Sequence, residues 1–165
     1  METLTKPALD EASVLITRII GAPRAAVFKA WTEQESLLHW YAPTGCRISF
    51  AKLDACPGGE FHSCILTPDG HECWCRGAYR EVVAPELIVH TMAIADAEGR
   101  QLNAVEAGMD PEWPNETVLT VRFEEHEGKT KVTLHQTVSE SLAKRTGAHP
   151  SWLQMLDRLA ELLEQ

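Results

Sequence analysis

The sequence predicts an α+β domain in which a curved antiparallel sheet wraps around one long C-terminal helix. Apolar residues recur at helical spacing in two regions only, residues 22–43 and residues 151–163. Almost everything between these regions has the alternation and the turns that are typical of strands. The order of elements is a strand, two short helices, a long antiparallel meander and a final helix. This order predicts a sheet curled around a helix, with a cavity between them.

The composition indicates a single globular domain in the cytoplasm. The chain has 165 residues, 44% hydrophobic and 24% charged, which is enough for one substantial core. We expect residues 1–10 to be a loose tail and residues 11–165 to form the domain. The formal net charge of −9 argues against nucleic acid as a partner, because phosphate binding needs clustered Lys and Arg. No apolar run predicts a membrane span, and no secretion signal is evident.

The N-terminal part begins with a strand and two short helices. Residues 14–20 (VLITRII) are rich in β-branched side chains and predict the first strand. Pro23 suits the first turn of a helix, and apolar residues then recur at helical spacing as far as Trp31. A second apolar run from Leu37 to Tyr41 predicts another short helix.

The next strands form a hairpin whose register follows from its turn. The sequence TPDGH suits a type I turn followed by a left-handed glycine, which pairs Thr67 with His71. Counting back along the two strands sets Phe61 opposite Gly77. The predicted strands here cover residues 46–54, 60–67 and 71–83.

A further turn at Ala-Pro-Glu leads into the fifth strand. We expect it to pair Val82 with Leu87, which sets Tyr79 opposite His90 on the inner face of the sheet. The chain then continues with a long polar connection over residues 96–116, strands over 117–125 and 130–138, a helical turn over 139–145 and a helix over 151–163. Connections as long as 96–116 are often functional lids, or else disordered.

Five cysteines without a secretion signal favour reduced thiols. Cys73 and Cys75 alternate with His71 on one predicted strand face, which suggests a metal site. Alternate strand residues are about 6.6–6.8 Å apart, however, so the outer two lie too far apart to share one ion. We therefore expect small core thiols, with no metal and no cofactor.

The chain resembles a known family through six motifs that occur in order over roughly residues 13–164: VFKAWT, LLHWYAPTG, PGGEF, PDGH, RGAYREVVAPELIVHTM and WLQMLDRLAELL. They are similar to the activator-of-Hsp90-ATPase-like branch of the START-like superfamily. The resemblance implies a helix-grip fold, with a hydrophobic cavity between the sheet and the C-terminal helix. It also implies diverse functions: lipid and polyketide binding, polyketide cyclisation, self-sacrificing toxin resistance and co-chaperone action.

His90 is the main candidate for chemistry. Members of the branch commonly carry an aromatic residue at this position, so an imidazole in the cavity departs from the pattern. Tyr79 should stand opposite, with Glu81 two residues further along the same predicted face. Such a group could orient a polar ligand atom or act as general acid and base. The simpler interpretation is a buried histidine satisfied by the tyrosine hydroxyl.

We expect this protein to bind a small hydrophobic or aromatic ligand rather than to act as an enzyme. The predicted ligand-binding residues lie on the inner sheet face, at the end of the second helix, in the long connection and on the final helix: Trp40, Tyr41, Ile48, Phe61, Ser63, Tyr79, His90, Met92, Trp113, Trp152, Met155 and Leu156. Pockets of mostly apolar residues with few polar groups are typical of ligand sites.

Two alternatives stay open. The first is a cyclase or hydrolase that acts on an aromatic or polyketide-like substrate through His90 and Tyr79. The second is a protein that modulates a chaperone through its surface. Eukaryotic co-chaperones carry a separate N-terminal Hsp90-binding domain, whereas about a dozen residues precede the first predicted strand here, which disfavours that role. An exposed sheet edge would also allow a homodimer.

Overall fold

In the part of the chain that the structure describes, seven antiparallel strands form one curved sheet and four helices complete the fold. The computed structural model describes residues 12–164, so the predicted tail of residues 1–10 lies outside the described residues. The elements are β1 (Ser13–Ile20), α1 (Arg24–Thr32), α2 (Gln34–Trp40), β2 (Arg47–Leu53), β3 (Glu60–Leu66), β4 (Glu72–Val83), β5 (Leu87–Ala95), β6 (Thr117–His126), β7 (Lys129–Ser139), α3 (Glu140–Thr146) and α4 (Ala148–Leu163).

The strand order explains how the sheet closes around a helix. It runs β1-β7-β6-β5-β4-β3-β2, so the first two strands of the chain form opposite edges. Helices α1 and α2 connect these two edge strands in the chain, and α4 packs against both α2 and β1. The predicted helix-grip arrangement is therefore confirmed.

The turn at Gly70 sets the register of the central hairpin as predicted. Gly70 has a φ of +88°, a conformation that favours glycine, and the backbone N–H of Thr67 donates to His71 O at 2.9 Å. Phe61 pairs with Gly77. Local turn chemistry alone was enough to determine this pairing.

One residue beyond Tyr79, a β-bulge changes the register. Tyr79 pairs with His90, as expected, but the predicted pairing of Val82 with Leu87 is wrong, because Val82 pairs with Ile88. The irregularity lies between Tyr79 and Glu81. Both Arg80 and Glu81 are exposed, so Glu81 does not share the inner face of Tyr79.

The C-terminal region consists of two helices joined at one glycine. Ser139 caps α3, its hydroxyl accepting a hydrogen bond of 3.1 Å from the Leu142 N–H. Gly147 then adopts a left-handed conformation and precedes α4, which begins three residues earlier than predicted. The buried stripe of α4 consists of Trp152, Met155, Leu156, Leu159 and Ala160.

Helices α1 and α2 bury aromatic side chains against the sheet. The ring centroid of Trp31 lies 4.6 Å from that of Trp40 and 5.7 Å from that of Phe123 on β6. Phe28 contacts Phe123 edge-on at 5.5 Å. Between residues 12 and 164 no helix is both long and apolar enough to cross a membrane.

Candidate ligand-binding site

A cleft lies between one end of the inner sheet face and the connection 96–116. Its volume is about 500 Å³. Strands β4 and β5 provide Cys73, Cys75, Met92 and Ile94, and the connection provides Met109 and Trp113. Met92 and Trp113 are thus the two predicted ligand-binding residues that line this cleft.

The connection over the cleft is held at both of its ends. Near its start, the Leu102 N–H donates to Ile94 O at 2.9 Å. Near its end, the Arg145 guanidinium of α3 lies 3.1 Å from an Asp110 carboxylate oxygen and 3.3 Å from one of Glu112. These contacts near both ends therefore fix the connection as a cover over the cleft.

A buried hydrogen-bond network stands at the inner end of the cleft. Gln136 of β7 is 3% exposed and lines the cleft. Its Nε2 donates to Thr117 Oγ1 at 3.1 Å, and its Oε1 accepts from Trp152 Nε1 at 3.0 Å. Gln136 is not among the site residues predicted from the sequence. Its inward position between Leu134 and Val138 was the signal that could have found it.

A second, very small cavity lies beside His90. It has a volume of about 10 Å³ and is lined by Trp31, Leu37, Tyr41, Phe50, Phe61, Tyr79 and His90. The His90 ring contacts Phe61 and Tyr79 edge-on, with centroid distances of 5.1 and 5.2 Å. These rings fill most of the space around His90 where a ligand was predicted.

Gly77 makes this ring packing feasible. A Cβ atom there would lie 2.0 Å from Thr91 O and 2.4 Å from Phe61 Cε2, well inside van der Waals contact. Glycine therefore lets the Phe61 ring lie directly against β4, where it reaches His90.

The structure does not form the predicted Tyr–His–carboxylate group. The Nδ1 of His90 lies 2.9 Å from Thr91 O, and because a carbonyl only accepts, Nδ1 carries the proton and donates. The expectation that the Tyr79 hydroxyl satisfies His90 is therefore wrong, and exposed Glu81 takes no part. Burial lowers the pKa of His90 to about 4 and raises the pKa of Tyr79 to about 12. Both side chains are neutral at physiological pH.

The other predicted site residues lie elsewhere. Trp40 is fully buried and its Nε1 donates to Ala30 O at 3.0 Å, so it belongs to the core rather than to a cavity edge. Ile48 lines a separate surface groove of about 450 Å³ beside α2 and Arg158. The remaining predicted residues are buried: Ser63, Trp152, Met155 and Leu156.

All five cysteines are free thiols: Cys46, Cys56, Cys64, Cys73 and Cys75. Burial raises the pKa of Cys75 to about 12, whereas Cys73 is exposed at the cleft. Among the described residues, no cluster of His, Cys, Asp or Glu is placed to hold a metal ion.

Comparison with known proteins agrees with this architecture. The profile of the family described as Activator of Hsp90 ATPase homolog 1-like protein matches residues 21–164. The chain belongs to this family. No curated protein matches this family member by sequence.

Solved bacterial structures share the fold of this AHSA1-like chain. A Staphylococcus epidermidis protein is 28% identical, with a TM-score of 0.76 over 94% of this chain and 92% of its own. A Chromobacterium violaceum protein is 22% identical, with a TM-score of 0.75 over 93% and 97% of the two chains. The AHSA1 protein of Silicibacter pomeroyi is 18% identical, with a TM-score of 0.74 over 93% and 98%. The latter two likenesses concern the fold.

Proposed function

We propose that this protein binds a small, mostly apolar molecule in the cleft beneath the connection 96–116. The proposal rests on the presence of the cleft. Its volume of about 500 Å³ lies within the range of small-molecule sites, which combine apolar walls with a few placed polar groups. Membership of a START-like family supports the same function.

The lining suits an aromatic or aliphatic ligand body. Met92 and Met109 are flexible thioethers that adapt to irregular shapes and contact aromatic rings favourably. Trp113, half-buried in the cover, offers a large flat surface. Because Gln136 already bonds Trp152 and Thr117, the inner end of the cleft is rigid and polar, which would orient a ligand that has one polar end.

A fluorescence titration with N-phenyl-1-naphthylamine, a neutral apolar probe, tests the proposal. We expect saturable binding that weakens about tenfold in Trp113→Ala, since losing a buried aromatic contact costs at least about 1.4 kcal/mol. Val105→Ala is the matched control, because Val105 lies in the same connection, is 68% exposed and is not part of the cleft lining.

A labelling experiment locates the bound probe. Cys73 is exposed and lines the cleft, whereas exposed Cys56 lies in the turn before β3, away from it. Probe binding should slow the reaction of Cys73 with N-ethylmaleimide and leave Cys56 unaffected. No saturable fluorescence, or equal protection of both thiols, would overturn the proposed site.

A further inference from the structure

Four polar side chains around the small cavity beside His90 share one property: each has a hydrogen-bonding group that is unpaired within residues 12–164. The indole Nε1 of Trp31 is buried without a partner, and Trp31 is only 2% exposed. His90 uses Nδ1 for Thr91 O, which leaves the lone pair of Nε2 free. The hydroxyls of Tyr41 and Tyr79 also make no hydrogen bond among the described residues, although both line the same cavity.

Leaving a buried polar group unpaired is energetically costly, and native cores pair nearly all of them. Among the described residues Trp31 Nε1 is the one buried side-chain polar atom without a partner, so it calls for a binding partner in this cavity. The cavity volume of about 10 Å³ corresponds to one oxygen-sized group. The side chains that surround it thus form a socket for a single polar atom.

The chemistry of the socket selects among oxygen groups. Trp31 Nε1 can only donate, and His90 Nε2 can only accept, because the Nδ1 bond fixes the tautomer. The bound atom must therefore accept one hydrogen bond and donate another. A hydroxyl does both, whereas an ether or ketone has no proton to donate and an ammonium has no lone pair to accept with.

The socket and the cleft are adjacent along the inner face of β5. His90 lines the socket, and Met92, two residues further along the same strand, lines the cleft; alternate strand residues are about 6.6–6.8 Å apart. Cys75 lines the cleft and Tyr41 lines the socket. Burial, with smaller contributions from Cys75 and Tyr79, raises the pKa of the Tyr41 hydroxyl. Tyr41 also contacts Trp152, with ring centroids 6.0 Å apart, and Trp152 donates to Gln136 at the inner end of the cleft.

We infer that the socket formed by Trp31, Tyr41, Tyr79 and His90 recognises a hydroxyl of the ligand whose apolar body occupies the cleft. This inference rests on the proposed function and narrows its ligand class to phenols and alcohols. The neutral imidazole is essential, because a protonated His90 would present a second donor to the hydroxyl. Burial keeps His90 neutral at physiological pH by lowering its pKa to about 4.

Calorimetric titration with 2-naphthol and 2-methylnaphthalene tests the inference. The two probes are nearly equal in shape and differ in the hydroxyl. We expect the wild-type protein to bind 2-naphthol about tenfold more tightly, the equivalent of one net hydrogen bond. In His90→Phe this preference should vanish. Tyr79→Phe removes only a hydroxyl and should reduce the preference for 2-naphthol. It replaces His90→Phe as the test if His90→Phe does not fold.

The outcomes separate this inference from the proposed function. Binding of neither probe overturns both. Equal binding of the two probes, or a preference that persists in His90→Phe, overturns the hydroxyl socket and leaves the apolar cleft intact. Long-range ¹H–¹⁵N spectra of the wild-type protein give a variant-free check: they should show the Nδ1–H tautomer of His90, with the Nε2 resonance shifting on addition of 2-naphthol but not of 2-methylnaphthalene. The Nε2–H tautomer would overturn the inference.

Discussion

The indole Nε1 of Trp152 donates a hydrogen bond of 3.0 Å to Oε1 of Gln136, linking the C-terminal helix to the inner face of the sheet. Both residues are buried, at 5% and 3% exposure. The bond therefore joins the two layers of the fold at the point where the cleft ends.

Replacing Gln136 by Leu should destabilise the protein by about 1–3 kcal/mol, because it leaves a buried indole N–H without its acceptor. Urea unfolding measures this. In a double-mutant cycle with Trp152→Phe, the combined loss should be smaller than the sum of the single losses. Gln34→Leu, at an exposed helix position, is the control and should stay within about 0.5 kcal/mol of wild type. Additive losses would show that the two side chains are not coupled.

Gly77→Ala should destabilise the protein by about 3 kcal/mol or more, because its Cβ would overlap the backbone oxygen of Thr91 as well as the Phe61 ring. The backbone cannot move aside as a flexible side chain can. Gly21→Ala is a matched control, since its Cβ would meet only the carboxylate end of Glu164, at 3.3 Å. Thermal unfolding of both variants measures the difference in their stability. Equal stability of the two would contradict the close approach at Gly77.

The unfolding free energy should fall as the pH drops from about 6.5 towards 4. His90 has its ordinary pKa of 6.5 when unfolded and a pKa of about 4 when buried, so the unfolded state holds more protons in this window. The stability is present above pH 6.5 and its loss is on the order of 3 kcal/mol. Tyr79 stays neutral throughout, because burial raises its pKa to about 12.

His90→Phe should flatten this part of the pH profile, measured by urea unfolding at several pH values. His126→Gln provides the comparison, because His126 lies exposed at the end of β6 and its replacement should leave the slope unchanged. A slope that survives in His90→Phe would assign the effect to another group.

Arg145→Ala should speed the release of a probe from the cleft several-fold, since it removes the ion pairs with Asp110 and Glu112 that hold the cover. Hydrogen exchange in residues 104–113 should accelerate in parallel. Lys144→Ala removes the neighbouring pair with Glu140, which is exposed and lies within α3, and should change neither quantity. Unaltered release kinetics in Arg145→Ala would mean that the cover is held by its apolar contacts.

The fold could be predicted from sequence because its signals are local. The TPDGH turn determined the pairing of Phe61 with Gly77, and the apolar stripe of α4 identified the helix that the sheet encloses. The pairing of Val82 failed because a bulge adds one residue without a turn or glycine to mark it.

The site was harder to predict because cavities arise from packing between distant segments. His90 and Tyr79 were correctly placed opposite each other, but nothing local indicates that rings from α1, α2 and β3 fill the space around them. The cleft depends on where the connection 96–116 folds, which the sequence does not specify through any periodic pattern. Gln136 is instructive, since an inward-facing amide in an otherwise apolar strand was visible in the sequence.

The bulge after Tyr79 gives β4 one more residue than its partner strand needs. Because Arg80 and Glu81 both point outwards, Tyr79 and Val82 can face the interior although they are three positions apart, an odd spacing in a strand. A chain without Arg80 would keep the pairings of Tyr79 with His90 and of Glu81 with Val89, now in an unbroken ladder. This position can therefore accept a one-residue deletion without shifting the side chains around His90, and strand length can vary here while the interior stays the same.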